Sequence, residues 1–187
     1  MVAAFAAASM TQDMGLLSLI PPASDAVPNP VADTDDPLAL GQAAYTAWAV
    51  LGLLIPAYAA LILQGAGPVW LAFWSAAWVG YAVHLYVSAF WFFGGDFDWM
   101  QNTSRVSAFW PGMALLIWWP VDIALGLAGQ RAAWVTMQRV ALHIGAFVLF
   151  FGGSAVMGEL TIVKALGAAL AATVLICAAT WWRGRHG

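Results

Sequence analysis

Three ionisable residues lie inside long apolar stretches of this chain: His84, Asp122 and His143. A titratable side chain in the hydrocarbon layer of a membrane costs free energy, so it generally pairs with another polar group or marks a pathway for a ligand or proton. We therefore expect Asp122 to pair with His143, or with Arg139 one helical turn away. The simplest role for such a pair is to clamp two helices together, and the alternative is a proton or ligand pathway.

The positions of these residues along their spans support the pairing. Asp122 lies six residues before the expected end of its span, which is roughly 9 Å at the rise of an α-helix. His143 lies at a similar depth on the next span, which runs back from the same side. His84 differs from His143 by roughly 13 Å in depth, so the two imidazoles do not fit one haem iron.

An aromatic stripe surrounds His84. The side chains of Trp70, Trp74, Trp78, Tyr81 and His84 fall within a sector of roughly 120° on one helix. We consider His84, Trp74, Trp78 and Tyr81 as a candidate binding site for a quinone, carotenoid or tetrapyrrole, since one imidazole is enough for an axial ligand. The alternative is that the stripe packs against another helix or against lipid.

Composition indicates the class of protein that must position these residues. The chain has 187 residues, of which 63% are apolar and only 8% are charged, with a mean hydropathy of +0.82. Soluble domains carry about 25% charged residues. The sequence therefore predicts an integral membrane protein surrounded by lipids. A formal charge of −3 and the absence of a basic patch argue against a nucleic-acid partner, and a lone Cys177 without a Cys/His cluster predicts no metal site.

The apolar stretches predict an all-α, polytopic protein with about five transmembrane helices in residues 42–187. Each stretch is long enough to cross a hydrocarbon core, which takes roughly 20 helical residues. The predicted spans are 43–63, 69–93, 108–129, 137–158 and 161–182. Since the connections are short, consecutive helices are expected to be antiparallel neighbours.

The basic residues predict an N-out/C-in orientation. With the N-terminus outside, four arginines fall on the cytoplasmic side (Arg131, Arg139, Arg183 and Arg185), whereas only Arg105 and Lys164 fall outside. This distribution follows the positive-inside rule. Tryptophans near several span ends agree with an aromatic belt at the membrane surface. We expect the protein in a bacterial cytoplasmic (inner) membrane.

Residues 1–41 form a different kind of sequence. Five prolines and four aspartates in Pro21–Pro37 predict an extended, acidic N-terminal tail on the extracytoplasmic side. The apolar segment ahead of it, Met1–Met10, lacks a basic residue and is not expected to be a signal peptide. Because an isolated tail of this composition would not be ordered, we expect a partner subunit to hold it.

Two further segments are expected to contact partners. The outer loop 94–107 contains Phe97, Trp99 and Met100, which we expect to be exposed against the membrane or another subunit. Its carboxylates, Asp96 and Asp98, form at most a weak cation site because further oxygen ligands are missing. The helix predicted at 161–182 is rich in glycine and alanine, which permit close packing of helices.

These observations leave three functional hypotheses open. The sequence lacks a nucleophile elbow, a zinc-protease motif, a histidine box and a glycine-rich phosphate loop. We therefore expect an accessory, non-catalytic transmembrane subunit of a larger membrane complex, bacterial and engaged in respiratory or photosynthetic electron transfer. The alternatives are a stand-alone binder of a hydrophobic ligand at the stripe near His84, and a small transporter that uses Asp122 and His143.

Overall fold

The computed structural model describes residues 37–102, 108–156 and 161–186, and these residues form helices joined by short connections. The all-helical class predicted from the sequence is confirmed, since the described ranges contain no strand. The six α-helices are α1 (Pro37–Gln64), α2 (Pro68–Tyr86), α3 (Phe97–Asn102), α4 (Phe109–Leu127), α5 (Ala133–Phe151) and α6 (Thr161–His186). Two π-helical segments, Val87–Phe92 and Gly152–Val156, continue α2 and α5.

Four of the helices are long and apolar enough to cross a membrane, as expected of an integral membrane protein. These spans are Tyr45–Gln64, Phe109–Leu127, Ala133–Val156 and Ile162–His186. The remaining long helix, α2 with its π-helical continuation, also has sufficient length. Its tryptophans, tyrosines, serines and histidine lower its mean hydropathy below that of the four spans. A fifth span and the N-out/C-in orientation therefore remain predictions.

The connections between the long helices depend on glycines in the left-handed region of backbone space. Gly65 follows the end of α1 with a φ of 81°, and Gly129 follows α4 with a φ of 63°. A side chain would strain the backbone at both positions, whereas glycine adopts them readily. Pro68 then occupies the first position of α2, where its missing N–H costs no helical hydrogen bond.

The chain divides into two compact units. The first contains the described residues of Met1–Ala49 and of Val79–Phe109, and the second contains Val50–Trp78 together with the described residues of Trp110–Gly187. Because α1 and α2 pass through both units, each unit receives one part of each helix. An acidic tail was predicted over residues 1–41, and its residues 1–36 lie outside the described residues.

In the first unit, the segment predicted as an outer loop contains the short helix α3. Asp96 precedes this helix, and its side chain accepts a hydrogen bond from the Trp99 N–H at 2.8 Å, which is the geometry of an N-cap. The expectation that Met100 is exposed is wrong. The helical turn brings Met100 against Ala89 and Phe93 in an apolar cluster, where it is buried. Phe97 is exposed and Trp99 is half-buried.

In the second unit, α6 packs closely against the π-helical end of α5. A Cβ atom added at Gly167 would lie 2.8 Å from the backbone nitrogen of Ala155 and would also overlap the Ser154 hydroxyl. The Ser154 hydroxyl is buried and donates to the carbonyl of Phe150 within its own helix. The absence of a side chain at Gly167 is therefore what allows the two backbones to approach.

Candidate functional site: a buried polar network

Asp122 is the centre of a polar network in the second unit. It lies on α4, and its side chain is fully buried. Its Oδ1 accepts hydrogen bonds from Gln138 Nε2 at 2.7 Å and from Arg139 Nε at 2.9 Å, and its Oδ2 accepts one from Trp74 Nε1 at 3.1 Å. Burial removes the hydrogen bonds that water would donate to this carboxylate, and the three protein donors replace them.

Arg139 on α5 supplies the positive charge that balances Asp122. The structure thus brings together one of the two pairs expected from the sequence, and their ion pair is largely buried. The guanidinium carbon also lies 4.6 Å from the ring centroid of Trp70, close enough for a cation–π interaction. Its Nη2 atom is buried and makes no hydrogen bond with the described residues. Only one edge nitrogen of Arg139, Nε, therefore contacts the carboxylate.

His143 uses both ring nitrogens for hydrogen bonds within the network. Nδ1 lies 2.8 Å from the carbonyl oxygen of Arg139, one helical turn earlier, and Trp70 Nε1 lies 3.1 Å from Nε2. Because a carbonyl can only accept, Nδ1 carries the proton and Nε2 accepts from Trp70. These contacts therefore select a neutral imidazole with the proton on Nδ1.

Asp122 and His143, the other expected pair, are joined through Trp74. The indole ring of Trp74 stacks on the imidazole of His143, with a centroid distance of 3.9 Å and an interplanar angle of 15°. The same indole donates its N–H to Asp122. His143 therefore contacts the face of the Trp74 ring, and Asp122 accepts a hydrogen bond at the edge of the same ring.

The rings around this pair form a continuous aromatic cluster. Trp74 has a centroid distance of 4.1 Å to Trp119 and of 6.4 Å to Trp70, and all three indoles are buried. Tyr58 on α1 contacts Trp74 and His143 edge to face, and its hydroxyl donates to the carbonyl of His143 at 2.6 Å. Edge-to-face and offset arrangements of this kind are favourable beyond their buried area.

Helical spacing explains how the sequence assembles the network. Trp70 and Trp74 are four residues apart on α2, Trp118 and Asp122 are four apart on α4, and Arg139 and His143 are four apart on α5. Residues separated by four positions share one face of a helix. The helices α2, α4 and α5 therefore each contribute an adjacent pair of side chains to the same cluster.

Five participants were not among the site residues expected from the sequence, namely Tyr58, Trp70, Trp118, Trp119 and Gln138. Trp118 Nε1 donates to Gln138 Oε1 at 2.9 Å, which orients the amide so that its Nε2 donates to Asp122. The four-residue spacing between Trp118 and Asp122 was a signal for this contact. The adjacency of Gln138 to Arg139 was a second signal.

The geometry of the network favours holding charge in place over moving it. Asp122 and Arg139 cancel each other, both carboxylate oxygens already accept hydrogen bonds, and His143 is neutral with both nitrogens engaged. Proton transfer through these groups would require at least one of these bonds to break. The network can therefore fix the rotation and depth of α1, α2, α4 and α5 within this unit.

The remaining residues of the candidate ligand stripe also contact protein groups. Trp78 donates its N–H to the carbonyl of Leu116 at 3.1 Å in the second unit. In the first unit, His84 Nδ1 lies 3.0 Å from the carbonyl oxygen of Ala43 and 3.2 Å from the hydroxyl of Thr46, and Tyr81 is buried. Their role in binding a cofactor remains a prediction. Within the described ranges, no group of three His, Cys, Asp or Glu side chains is suited to hold a metal ion.

No protein-family model, curated protein or solved structure matches this chain.

Proposed function

We propose that this protein is an accessory, non-catalytic transmembrane subunit of a larger bacterial membrane complex, one that carries out respiratory or photosynthetic electron transfer. The main support for the proposal is the buried network, in which the charge and the hydrogen bonds of Asp122 are satisfied within the protein. The one acidic side chain within the four spans, Asp122, is neutralised by Arg139 and bonded by neighbouring donors. A network arranged in this way supports a fixed scaffold.

The outer surface of α6 adds support for a role in assembly. Alanines at positions 165, 168, 169, 172 and 179 are exposed along one side of this helix. Small residues at this spacing permit a second helix to approach closely. A subunit that docks in a larger complex needs such a face.

Purification of the native protein in mild detergent tests the proposal. Mass spectrometry of the purified material is expected to find the same membrane-protein partners, in fixed stoichiometry, in independent preparations. Replacing Ala168 and Ala172 by leucine is expected to reduce partner recovery, because the larger side chains separate the helices. Replacing Ala141 by leucine, at an exposed position of α5, adds the same side-chain volume on another helix and is the matched control. Recovery of the protein alone, with no partner, would reject the proposal.

A second candidate function, the binding of a tetrapyrrole or another hydrophobic cofactor near His84, is favoured by one contact. The Ala43 carbonyl accepts from His84 Nδ1, so in the neutral imidazole the lone pair is on Nε2. Histidines that bind metals commonly have their other ring nitrogen fixed in this way. A visible absorption spectrum that is present in the wild type and lost in His84→Leu would support this function, and a colourless wild-type preparation would reject the tetrapyrrole.

A further inference from the structure

The C-terminal end of α6 extends beyond the thickness of a hydrocarbon core. Its membrane-spanning part runs over 25 residues, Ile162–His186, which corresponds to about 37 Å at the helical rise. A typical hydrocarbon core is about 30 Å thick. When the span is placed from Ile162, Trp181 therefore lies at the edge of the hydrocarbon core and the residues after it lie in the headgroup layer.

The side chains in this last stretch form two aromatic–basic pairs. The guanidinium carbon of Arg185 lies 4.2 Å from the ring centroid of Trp181, and the ring centroids of Trp182 and His186 are 4.3 Å apart. Both pairs have the four-residue spacing that places side chains on one face of a helix. Trp181 and Trp182 thereby hold Arg185 and His186 at the exposed end of the helix.

The arginines here are not neutralised by the described part of the chain. Arg183 and Arg185 are exposed, and the ion pair of the described ranges is the one between Arg139 and Asp122. Directly before these residues in the helix, Leu175 and Ile176 present exposed apolar side chains. The end of α6 therefore offers positive charge at headgroup depth and apolar surface at acyl-chain depth.

We propose that the end of α6, where Arg183 and Arg185 project from opposite sides of the helix beside Trp181 and Trp182, binds the phosphate headgroups of anionic phospholipids. The charges are complementary to a phosphodiester, and arginine presents several N–H donors to phosphate oxygens. The two tryptophans suit the interface between headgroups and acyl chains. The neighbouring Leu175 and Ile176 contact the acyl chains, which a free phosphate ion lacks. The surface is separate from the network around Asp122.

Lipid selectivity of the full-length protein tests the proposal. The protein is reconstituted with spin-labelled phosphatidylglycerol or phosphatidylcholine, and the motionally restricted fraction of each lipid gives the relative affinity. The double variant Arg183→Gln/Arg185→Gln is expected to lose the preference for phosphatidylglycerol, by about fivefold for each arginine removed. Lys164→Gln, which removes an exposed charge near the other end of the same helix, is expected to keep it.

Two further measurements separate the headgroup site from other sources of binding. Arg183→Lys/Arg185→Lys is expected to keep most of the preference, and a salt titration is expected to weaken it because exposed charges are screened. An unchanged preference in the double glutamine variant, or an equal loss in Lys164→Gln, would overturn the proposal. Competition by glycerol phosphate as effective as that by the lipid would also overturn it, because the acyl chains would then contribute nothing.

Discussion

Arg139 binds Asp122 through Nε alone, although Nη2 lies on the same edge of its guanidinium group. The reason is competition, since Gln138 shares Oδ1 with Arg139 and Trp74 occupies Oδ2. A buried ion pair is weak evidence for stability in itself, because desolvation offsets much of the attraction. Loss of one partner is different, because it leaves the other charge buried without compensation.

Asp122→Asn tests that asymmetry. We expect this substitution to lower the free energy of unfolding by on the order of 3 kcal/mol, because the buried Arg139 cation loses its counter-charge. Adding Arg139→Gln in the same protein is expected to recover part of the loss, since the unpaired cation is gone. Unfolding by titration with a denaturing detergent measures both variants. Loss of transport by a stably folded Asp122→Asn protein would instead favour the transporter hypothesis.

Trp70→Phe and Trp74→Phe form a matched pair, since each removes the same indole N–H and similar volume. In Trp74→Phe, Oδ2 of Asp122 becomes available to the buried Nη2 of Arg139, so the ion pair gains a second bond. In Trp70→Phe, His143 Nε2 loses its donor. We expect Trp70→Phe to be less stable than Trp74→Phe by about 1–3 kcal/mol, the cost of an unsatisfied buried acceptor. Equal stability would show that the Trp70 hydrogen bond contributes little.

For individual residues, the sequence predicted which charged side chains pair inside the membrane but not all of the side chains that contact them. Asp122 and His143 were placed at matching depth by counting residues along helices of known rise, and Arg139 was placed one helical turn nearer the cytoplasm. The contacts of Gln138 and Trp74 depend on the rotation of each helix about its axis. Rotation is set by packing between helices, which hydropathy along a single chain does not resolve.

Among the helices, the contact between α6 and the end of α5 depends most on a single position. Gly167→Ala would place a Cβ 2.8 Å from the backbone nitrogen of Ala155. Because backbone yields less easily than a side chain, we expect a loss of about 1–3 kcal/mol in the free energy of unfolding. Thermal unfolding in detergent measures the loss.

Gly184→Ala is the control for this substitution. Gly184 also lies on α6, but a Cβ added there meets no atom within 4 Å. We expect this variant to be as stable as the wild type or slightly more stable, because alanine restricts the unfolded chain more than glycine does. Equal losses in both variants would mean that the close approach at Gly167 is not limiting.

The helix boundaries were largely predictable, whereas irregular helices were not. The five apolar stretches of the sequence lie at α1, α2, α4, α5 and α6 because apolar length and flanking glycines mark such helices clearly. Four of these helices are long and apolar enough to cross a membrane, and α2 is not among the four. The helix α3 was missed because its six residues are too few for a hydropathy signal. The π-helical segments were missed because the widening of a helical turn depends on packing, as between Ser154 and Gly167.

For the molecule as a whole, the number of membrane crossings can be measured directly. In a Cys177→Ser background, single cysteines are introduced at the exposed positions Ala66, Asp98 and Gln130. Five spans with the N-terminus outside predict labelling of position 98 by an impermeant maleimide in intact spheroplasts, and protection of positions 66 and 130. Labelling of positions 66 and 98 from the same side would show that α2 does not cross the membrane.

Composition was sufficient to predict the class of this protein but not its topology. An 8% share of charged residues excludes a water-soluble surface for a chain of 187 residues. The second helix is ambiguous because tryptophan, tyrosine and histidine suit both a span and a packing surface. Its contacts, in which Trp70, Trp74 and Trp78 all donate hydrogen bonds to protein acceptors, explain why it need not be uniformly apolar.

The partners of Asp122 also bear on how the protein is made. A ribosome completes α4 before it completes α5, and Gln138 and Arg139 follow Asp122 by 16 and 17 residues. An aspartate at the centre of a nascent span opposes insertion by about 2.5–3.5 kcal/mol, and one nearer the end, such as Asp122, opposes it by less. We therefore expect α4 to wait at the translocon until α5 emerges, so that the two helices enter the bilayer together as a hairpin with their charges already paired.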